Sequence, residues 1–266
     1  MIELARSRAL VSVLSLVNDE GMSVEQAFLR DLKTSIEKDA CKSVRVASKT
    51  YKPSGMNCIR FMWFQMMGAE PKAESRSSEL EGICESGTDR HERIQNAIQR
   101  MKDNGIDCVY IDVEEYVKTH NLEDLEIVEK MGNETKLYNK RYNLSFLCDG
   151  IIRYRGKYYI LEIKTETSNK FWNQTDVMNE HKLQGTAYSL SFEIDDVLYL
   201  YECRDNCAKK SFMLHVTSDM KQDLVAKIIE CDDYVENKIC PPKPTNLSKS
   251  ACSYCNYSEE CKRYVC

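Results

Sequence analysis

Apolar and polar positions follow a helical spacing in the first third of the chain and a twofold alternation later. The helical patterns span residues 2–39, 57–67, 82–102, 176–192 and 218–238. The alternating patterns predict strands at about 135–140, 144–154, 157–165, 196–202 and 211–217. Ser23 is the expected N-cap of the second helix, and the segment 107–134 predicts mixed helix and loop. Helices followed by a small sheet that a helix interrupts predict an α/β (α+β) fold with a small mixed sheet flanked by helices.

The N-terminal apolar run, Ala9–Val17, resembles part of a signal peptide. It is followed by Asn18, Asp19 and Glu20 rather than by a small-residue cleavage site, and it is too short to span a bilayer. We therefore expect an amphipathic first helix, a cytoplasmic protein and no membrane partner.

Charge is distributed unevenly along the chain. The net charge is −5, and residues 102–134 alone contribute −7 because they hold ten acidic residues and three lysines. Basic residues predominate in 42–60, 135–157 and 238–266. Such clusters usually form only a solvated surface, but their positions beside the motifs described next make a nucleic-acid partner compatible with the acidic total.

The stretch YYILEIKTE contains the first candidate chemistry. Glu162 and Lys164 share one face of the predicted strand, and a hairpin turning at Arg155–Gly156 would bring Asp149 to a similar depth. Two neighbouring carboxylates repel each other unless a cation separates them, and Mg²⁺ prefers such oxygen ligands. Lys164 would then help to position the attacking water and offset phosphate charge. The alternative is an exposed cross-strand pair with Asp149 at a strand end.

Two further features add to this set. His91 lies on the inward stripe of a helix with Ile94, Ile98 and Met101, where a core histidine is the usual alternative to a ligand. Gln184 and Tyr188 are four residues apart and so share a helix face.

The ordered motifs GTDRH, CDG, EIK and QGTAY, between Gly87 and Tyr188, resemble those of RecB-like nucleases of the PD-(D/E)xK superfamily. They are most similar to CRISPR-associated RecB-like exonucleases and AddB-type nuclease domains. The resemblance implies a restriction-endonuclease-like core and Mg²⁺ or Mn²⁺ bound by His91, Asp149, Glu162 and the Ile163 carbonyl. It also implies that Lys164 is the catalytic lysine, supported by Gln184 and Tyr188.

Thirteen cysteines without an export signal favour metal or cluster ligation over disulfides. Cys252, Cys255 and Cys261 have the spacing C-x2-C-x5-C and need a fourth ligand. Cys266 would complete a local zinc site, and Cys58 would close a long loop. The resemblance favours Cys58 and a 4Fe–4S cluster that joins the N-terminal helices to the C-terminal tail.

We expect one nuclease domain over 1–266. Its parts are an N-terminal helical region (1–57), the first cluster ligand and connection (58–86), a nuclease core with an acidic insert at 102–134 (87–238) and a cysteine-rich tail (239–266). The expected substrate is single-stranded DNA or DNA ends, in a groove lined by aromatics that include Tyr51, Tyr138, Tyr142 and Tyr154.

Three alternatives stay open. The first is a structure-selective endonuclease, or a processing subunit that works with an integrase, helicase or recombination complex. The second is an inactive iron–sulfur DNA-binding adaptor. The third is a zinc-containing interaction module.

Overall fold

The computed structural model describes residues 22–40, 48–71, 77–245, 247, 249–253 and 255–264. The helices α1 to α9 span Val24–Ala40, Ile59–Met66, Ser78–Gln99, Val113–Thr119, Ser168–Asn173, Asn179–Phe192, Ser218–Glu236, Lys249–Ser253 and Ser258–Arg263. The strands β1 to β8 span Cys108–Ile111, Leu125–Met131, Glu134–Asn139, Leu144–Cys148, Gly150–Tyr154, Lys157–Glu166, Asp196–Cys203 and Lys209–His215. The predicted α/β fold with a small mixed sheet flanked by helices is confirmed.

Contacts divide the chain into two compact units. The smaller unit comprises residues 1–44 and 73–85, and the larger unit comprises 45–72 and 86–266. The prediction of a single domain over the whole chain stays a prediction, and the expected helix over Ala9–Val17 lies outside the described residues. No helix in the described part of the chain is both long and apolar enough to cross a membrane.

In the smaller unit, α1 begins at the predicted cap. The Gln26 amide donates to Ser23 Oγ at 3.4 Å, and the Ser23 amide donates to Gln26 Oε1 at 3.1 Å. This reciprocal pair satisfies amides that the first turn of a helix leaves without partners. Within the same unit, Lys33 pairs with Glu79 of α3 at 2.5 Å.

The larger unit is built on a five-stranded sheet with the order β1-β5-β6-β7-β8. All neighbouring strands are antiparallel except β6 and β7, which are parallel and connected through α5 and α6. Ile94 and Ile98 of α3 pack with Leu161 and Ile163 on one face of this sheet. The other face carries Tyr199 and Tyr201 and packs in the main core with α2, α6 and α7.

A second sheet of three antiparallel strands has the order β2-β3-β4. The predicted strand 144–154 is therefore wrong as a single element. The chain leaves one sheet at Cys148 and enters the other at Gly150, so that Asp149 lies between them. Apolar alternation continues across this junction, which is why the sequence pattern does not reveal it.

The acidic segment 107–134 is also more ordered than expected. Instead of mixed helix and loop it contains β1, α4 and β2. Strand β2 is exposed along most of its length and carries Glu126, Glu129 and Lys130, so its apolar alternation is weak. Pairing with β3 makes it a strand, and pairing partners are a tertiary property.

Gly185 lets α6 approach the sheet closely. A Cβ atom there would lie 2.5 Å from the Tyr199 hydroxyl oxygen and 3.1 Å from Leu214 Cδ2. Tyr199 cannot move freely because it is fully buried and its hydroxyl donates to the His181 carbonyl at 2.5 Å. Gly185 is thus required by packing.

We expect Gly185→Ala to destabilise the protein by about 1–3 kcal/mol, because overpacking outweighs the better helix propensity of alanine. Gly87→Ala is the matched control: it is also inside a helix, but an added Cβ would meet nothing within 4 Å. That control should be neutral or more stable by up to about 1 kcal/mol. Urea denaturation measures both, and equal effects would contradict the packing argument.

Candidate active site

The β5–β6 hairpin fixes the relative depth of the two predicted carboxylates. Its turn places Arg155 and Gly156 at φ of 49° and 80°, the left-handed pair typical of a tight two-residue hairpin. The register pairs Gly150 with Leu161, so Asp149 comes opposite Glu162 one step further from the turn. This is the depth that the residue count from the turn predicts.

Asp149 directly precedes β5, at the point where the edge of β6 no longer has β5 as a hydrogen-bonding partner. The Ile163 amide on that edge donates to Asp149 Oδ2 at 2.6 Å. Because the N–H and C=O of one strand residue point to the same edge, the Ile163 carbonyl also faces this side. The predicted backbone ligand therefore lies beside the Asp149 carboxylate, which is only 6% exposed.

His91 reaches the same place from α3. Its helix is held to β7 by Arg90 and Arg93, which pair with the fully buried Glu202 at 3.1 and 2.5 Å. His91 Nδ1 lies 3.3 Å from Asp149 Oδ1. Burial by itself would lower the pKa of His91, but its contacts with the carboxylates of Asp149 and Glu134 outweigh burial and raise the pKa to about 10.

Glu134 completes this group, and sequence reasoning missed it. The β3–β4 register pairs Thr135 with Cys148, so Glu134 comes opposite Asp149. One ligand atom each from His91, Glu134 and Asp149 lies within 4.8 Å of the others. The missed signal was the strand pair itself, since pairing the predicted strands 135–140 and 144–154 as a hairpin would have placed Glu134 there.

Glu162 and Lys164 form the adjoining part of the site on the face that α6 covers. Lys164 Nζ donates to Glu162 Oε1 at 2.5 Å. Burial raises the pKa of Glu162, and Asp149 adds to this while Lys164 opposes it. Burial alone would lower the pKa of Lys164, but the carboxylates of Glu162 and Asp149 raise it, so this lysine is an ammonium.

The helix pair Gln184 and Tyr188 orients this ion pair. Gln184 Nε2 donates to Glu162 Oε1 at 2.8 Å and lies 2.6 Å from the Tyr188 hydroxyl. Tyr188 in turn donates to the Leu147 carbonyl at 3.0 Å. Every residue predicted for the nuclease motifs therefore contacts another one or shares a neighbour with it.

This arrangement suits a hard divalent cation. It offers carboxylate oxygens, an imidazole nitrogen and a strand carbonyl, and oxygen ligands are those that Mg²⁺ and Mn²⁺ prefer. Three carboxylates outnumber the Lys164 ammonium and the charged His91, so a bound cation would relieve repulsion among Glu134, Asp149 and Glu162. The charged imidazole would have to release its proton to act as a ligand.

The second predicted group, the cysteines, also comes together. Burial raises the pKa of Cys58, and the thiols of Cys261 and Cys252 raise it further. Burial likewise raises the pKa of Cys255, with additions from the other three thiols. The structure therefore brings Cys58 to the tail cysteines across about 200 residues of chain. Cys266 lies outside the described residues.

Arg60 and an aromatic cluster hold the tail beside α2. Arg60 is 3% exposed, and its guanidinium donates to the carbonyls of Pro241, Cys261 and Tyr264 at 2.7, 3.4 and 3.2 Å. It also contacts Cys261 Sγ at 3.5 Å. The Phe64 ring stacks on Tyr257 with centroids 5.5 Å apart.

One part of the expected DNA groove is wrong. Tyr51 is fully buried, and its hydroxyl donates to Asp232 at 2.6 Å, so it cannot stack on a base. Tyr138, Tyr142 and Tyr154 are partly exposed. Tyr51, the one aromatic residue of 42–60, faces the core because α2 and α7 pack there, which a count of tyrosines near basic residues does not show.

Comparison with known proteins gives similarity of structure at low identity. No protein-family model matches the chain, and no curated protein matches it. The crystal structure of SSO0001 aligns with a TM-score of 0.43 and 15% identity over 88% of this chain and 98% of that chain. An alkaline exonuclease, LHK-Exo from Laribacter hongkongensis, aligns with a TM-score of 0.44 and 9% identity over 72% of this chain and 90% of that one. The residues of the site are therefore the basis for a functional proposal.

We expect Glu134→Gln to weaken Mn²⁺ binding by about ten- to hundredfold, because it removes a charged oxygen from the group formed with His91 and Asp149. Isothermal titration calorimetry measures the affinity. Glu129→Gln is the matched control: it makes the same change on the exposed strand β2. Equal affinities for wild type and Glu134→Gln would exclude Glu134 as a ligand.

Proposed function

We propose that this protein is a metal-dependent deoxyribonuclease that hydrolyses phosphodiester bonds. The observation that carries the proposal is the convergence of His91, Asp149, Glu162 and Lys164 at the junction of the two sheets. Carboxylates that can hold a cation, beside a half-buried lysine ammonium, suit the hydrolysis of a charged phosphodiester. The order of the motifs, which resembles that of RecB-like PD-(D/E)xK nucleases, supports the same reaction.

In this proposal His91, Asp149, Glu162 and the Ile163 carbonyl hold Mg²⁺ or Mn²⁺, and Glu134 adds a ligand. When bound, the cation would supply Lewis-acid activation of water and neutralisation of phosphate charge. Lys164 places a positive charge where the phosphorane charge develops. Gln184 fixes the Glu162 carboxylate, and Tyr188 fixes Gln184, so both act as positioning residues.

We further propose that the substrate is single-stranded DNA and that degradation proceeds from an end. The resemblance to exonucleases favours this mode over site-specific cleavage. Of the basic residues of 135–157, Lys136 lies two positions from Glu134 on β3. Those around the Arg155–Gly156 turn lie at the other end of the β5–β6 hairpin from Asp149. A structure-selective endonuclease, a processing subunit that depends on a helicase or integrase, and an inactive adaptor are the alternatives that the assay separates.

With Mg²⁺ or Mn²⁺, we expect wild type to degrade linear single-stranded DNA, and we expect Lys164→Ala to lower the rate about a hundredfold or more. Lys118→Ala, a highly exposed lysine on α4, should retain the wild-type rate. DNA labelled at either end shows the polarity, because the label at the attacked end is released first.

A circular single strand separates the alternatives. Resistance of the circle with loss of the linear strand supports an exonuclease, whereas cutting of the circle would move the proposal to an endonuclease. Equal inactivity of wild type and Lys164→Ala on both substrates, with metal bound, would overturn the catalytic proposal in favour of an adaptor.

We also propose that Cys58, Cys252, Cys255 and Cys261 hold a 4Fe–4S cluster. Burial and the neighbouring thiols raise the pKa of Cys58 and of Cys255, so the four thiols lie close enough together to form the all-cysteine donor set typical of such clusters. The Tyr257 amide donates to Cys255 Sγ at 3.4 Å, and such hydrogen bonds to sulfur accompany iron–sulfur sites. A cluster here would join α2 to the C-terminal tail and reduce the entropy of the unfolded chain.

We expect anaerobically purified protein to be brown, and we expect Cys58→Ser to lose both the colour and the bound iron. Cys84→Ser, an exposed cysteine of α3, is the control and should keep both. The iron and zinc content of wild type and of each variant distinguishes the iron–sulfur cluster from a zinc site. A colourless protein that contains zinc and loses it in Cys266→Ser rather than in Cys58→Ser would support the local zinc site instead.

A further inference from the structure

Trp172 is an exposed aromatic residue that none of the predicted motifs contains. Its side chain is 58% exposed, whereas Trp63, the other tryptophan, is 4% exposed. Its neighbours on α5 are polar: Asn169 and Asn173 are exposed and hydrogen-bonded to each other. Because its exposed neighbours are polar, Trp172 presents a single flat ring to solvent and is not part of a larger apolar patch.

Phe171 and Lys210 contact the Trp172 ring on its protein side. Phe171 is fully buried, and its ring meets Trp172 edge to face with centroids 5.0 Å apart. Lys210 Nζ donates to the carbonyls of Phe171, Trp172 and Gln174 at 2.7, 3.4 and 3.2 Å. The same ammonium lies 5.4 Å from the Trp172 ring centroid. Lys210 therefore fixes the end of α5, and the indole loses little freedom when it binds a flat partner.

Helix α5 follows the strand of the candidate active site in the chain, and its charged residues interact with that strand. It begins two residues after β6, the strand that carries Glu162 and Lys164. Glu166, at the end of that strand, lies 3.8 Å from Lys170 of α5 and interacts electrostatically with Lys164. The charge of Lys170 is mostly solvent-exposed. A DNA strand that leaves Lys164 toward the end of β6 would pass Lys170, and Trp172, two positions further along α5, lies on a different side of that helix.

We propose that Trp172 is a stacking platform for one base of single-stranded DNA, with Lys170 contacting a phosphate nearer to Lys164. This inference rests on the proposed function. Stacking on an aromatic ring binds any base because every base has a π face, and lysines beside the ring favour an anionic backbone. The platform supplies the exposed aromatic contact that the fully buried Tyr51 cannot supply.

The test measures binding in a Lys164→Ala background with EDTA, so that the probe is not cut. The probe is a fluorescent oligothymidine of about twelve nucleotides, within the site sizes usual for single-strand binders. Fluorescence anisotropy gives the affinity for Trp172, Trp172→Phe and Trp172→Ala proteins. Ile239→Ala is the control, because Ile239 has the same 58% exposure.

We expect Trp172→Ala to weaken binding about ten- to hundredfold, and we expect Trp172→Phe and Ile239→Ala to stay close to the parent protein. A set of probes, each with a single abasic site, then identifies the stacked base. At one position the abasic site should weaken binding to the Trp172 protein and cause no further loss in Trp172→Ala.

Two results would overturn the inference. Equal affinity of the Trp172 and Trp172→Ala proteins would exclude a platform. The same conclusion would follow if an abasic site at every position weakened binding to both proteins by the same factor. In either case, if protein with Lys164 intact still degrades the linear strand, the nuclease proposal stands and only the platform fails. If that protein neither binds nor degrades single-stranded DNA, both proposals fail.

Discussion

The hydrogen bond from the Ile163 amide to Asp149 Oδ2, 2.6 Å long, is the interaction on which the site depends. An edge amide of a central strand is costly to bury without a partner, and β5 begins only at Gly150, opposite Leu161, so it provides none for Ile163. The carboxylate that takes its place is thereby fixed beside His91. The Asp149 carbonyl is fixed as well, since Gln95 of α3 donates to it at 2.7 Å. One residue thus joins a helix and two sheets.

Charge balance explains how so many ionised groups tolerate burial. Glu202, fully buried, is compensated by Arg90, Arg93 and Lys209, and this triple pairing places the helix turn that carries His91. At the site itself the balance is the reverse, because three carboxylates face only Lys164 and the charged His91. Buried charges are stable when paired, so the Glu202 group is a structural anchor, and the excess of carboxylates at the second group is what the proposed cation would balance. The Glu202 cluster therefore holds the helix in place, and the cluster at Asp149 and Glu162 is the one available for the proposed chemistry.

Strong periodicity predicts many of the helices and strands, and the ordered motifs predict which residues form the candidate site. Asp149 and Glu162 can be placed at equal depth from the sequence because a tight turn at Arg155–Gly156 fixes the register by counting. Gln184 and Tyr188 can be placed on one helix face because the helix period fixes their spacing. In each case a local rule, acting over a few residues, is sufficient.

The tertiary structure decided everything that depends on which segments meet. Glu134 joins His91 and Asp149 through the pairing of β3 with β4, the split at Asp149 follows from a change of sheet, and Tyr51 turns inward because α2 and α7 enclose it. The sequence could not distinguish the exposed Trp172 from the buried Trp63, since both lie in short aromatic helices. Periodicity records the average environment of a segment, whereas these features depend on contacts between residues far apart in the chain, and those contacts exist only once the sheets and helices have packed.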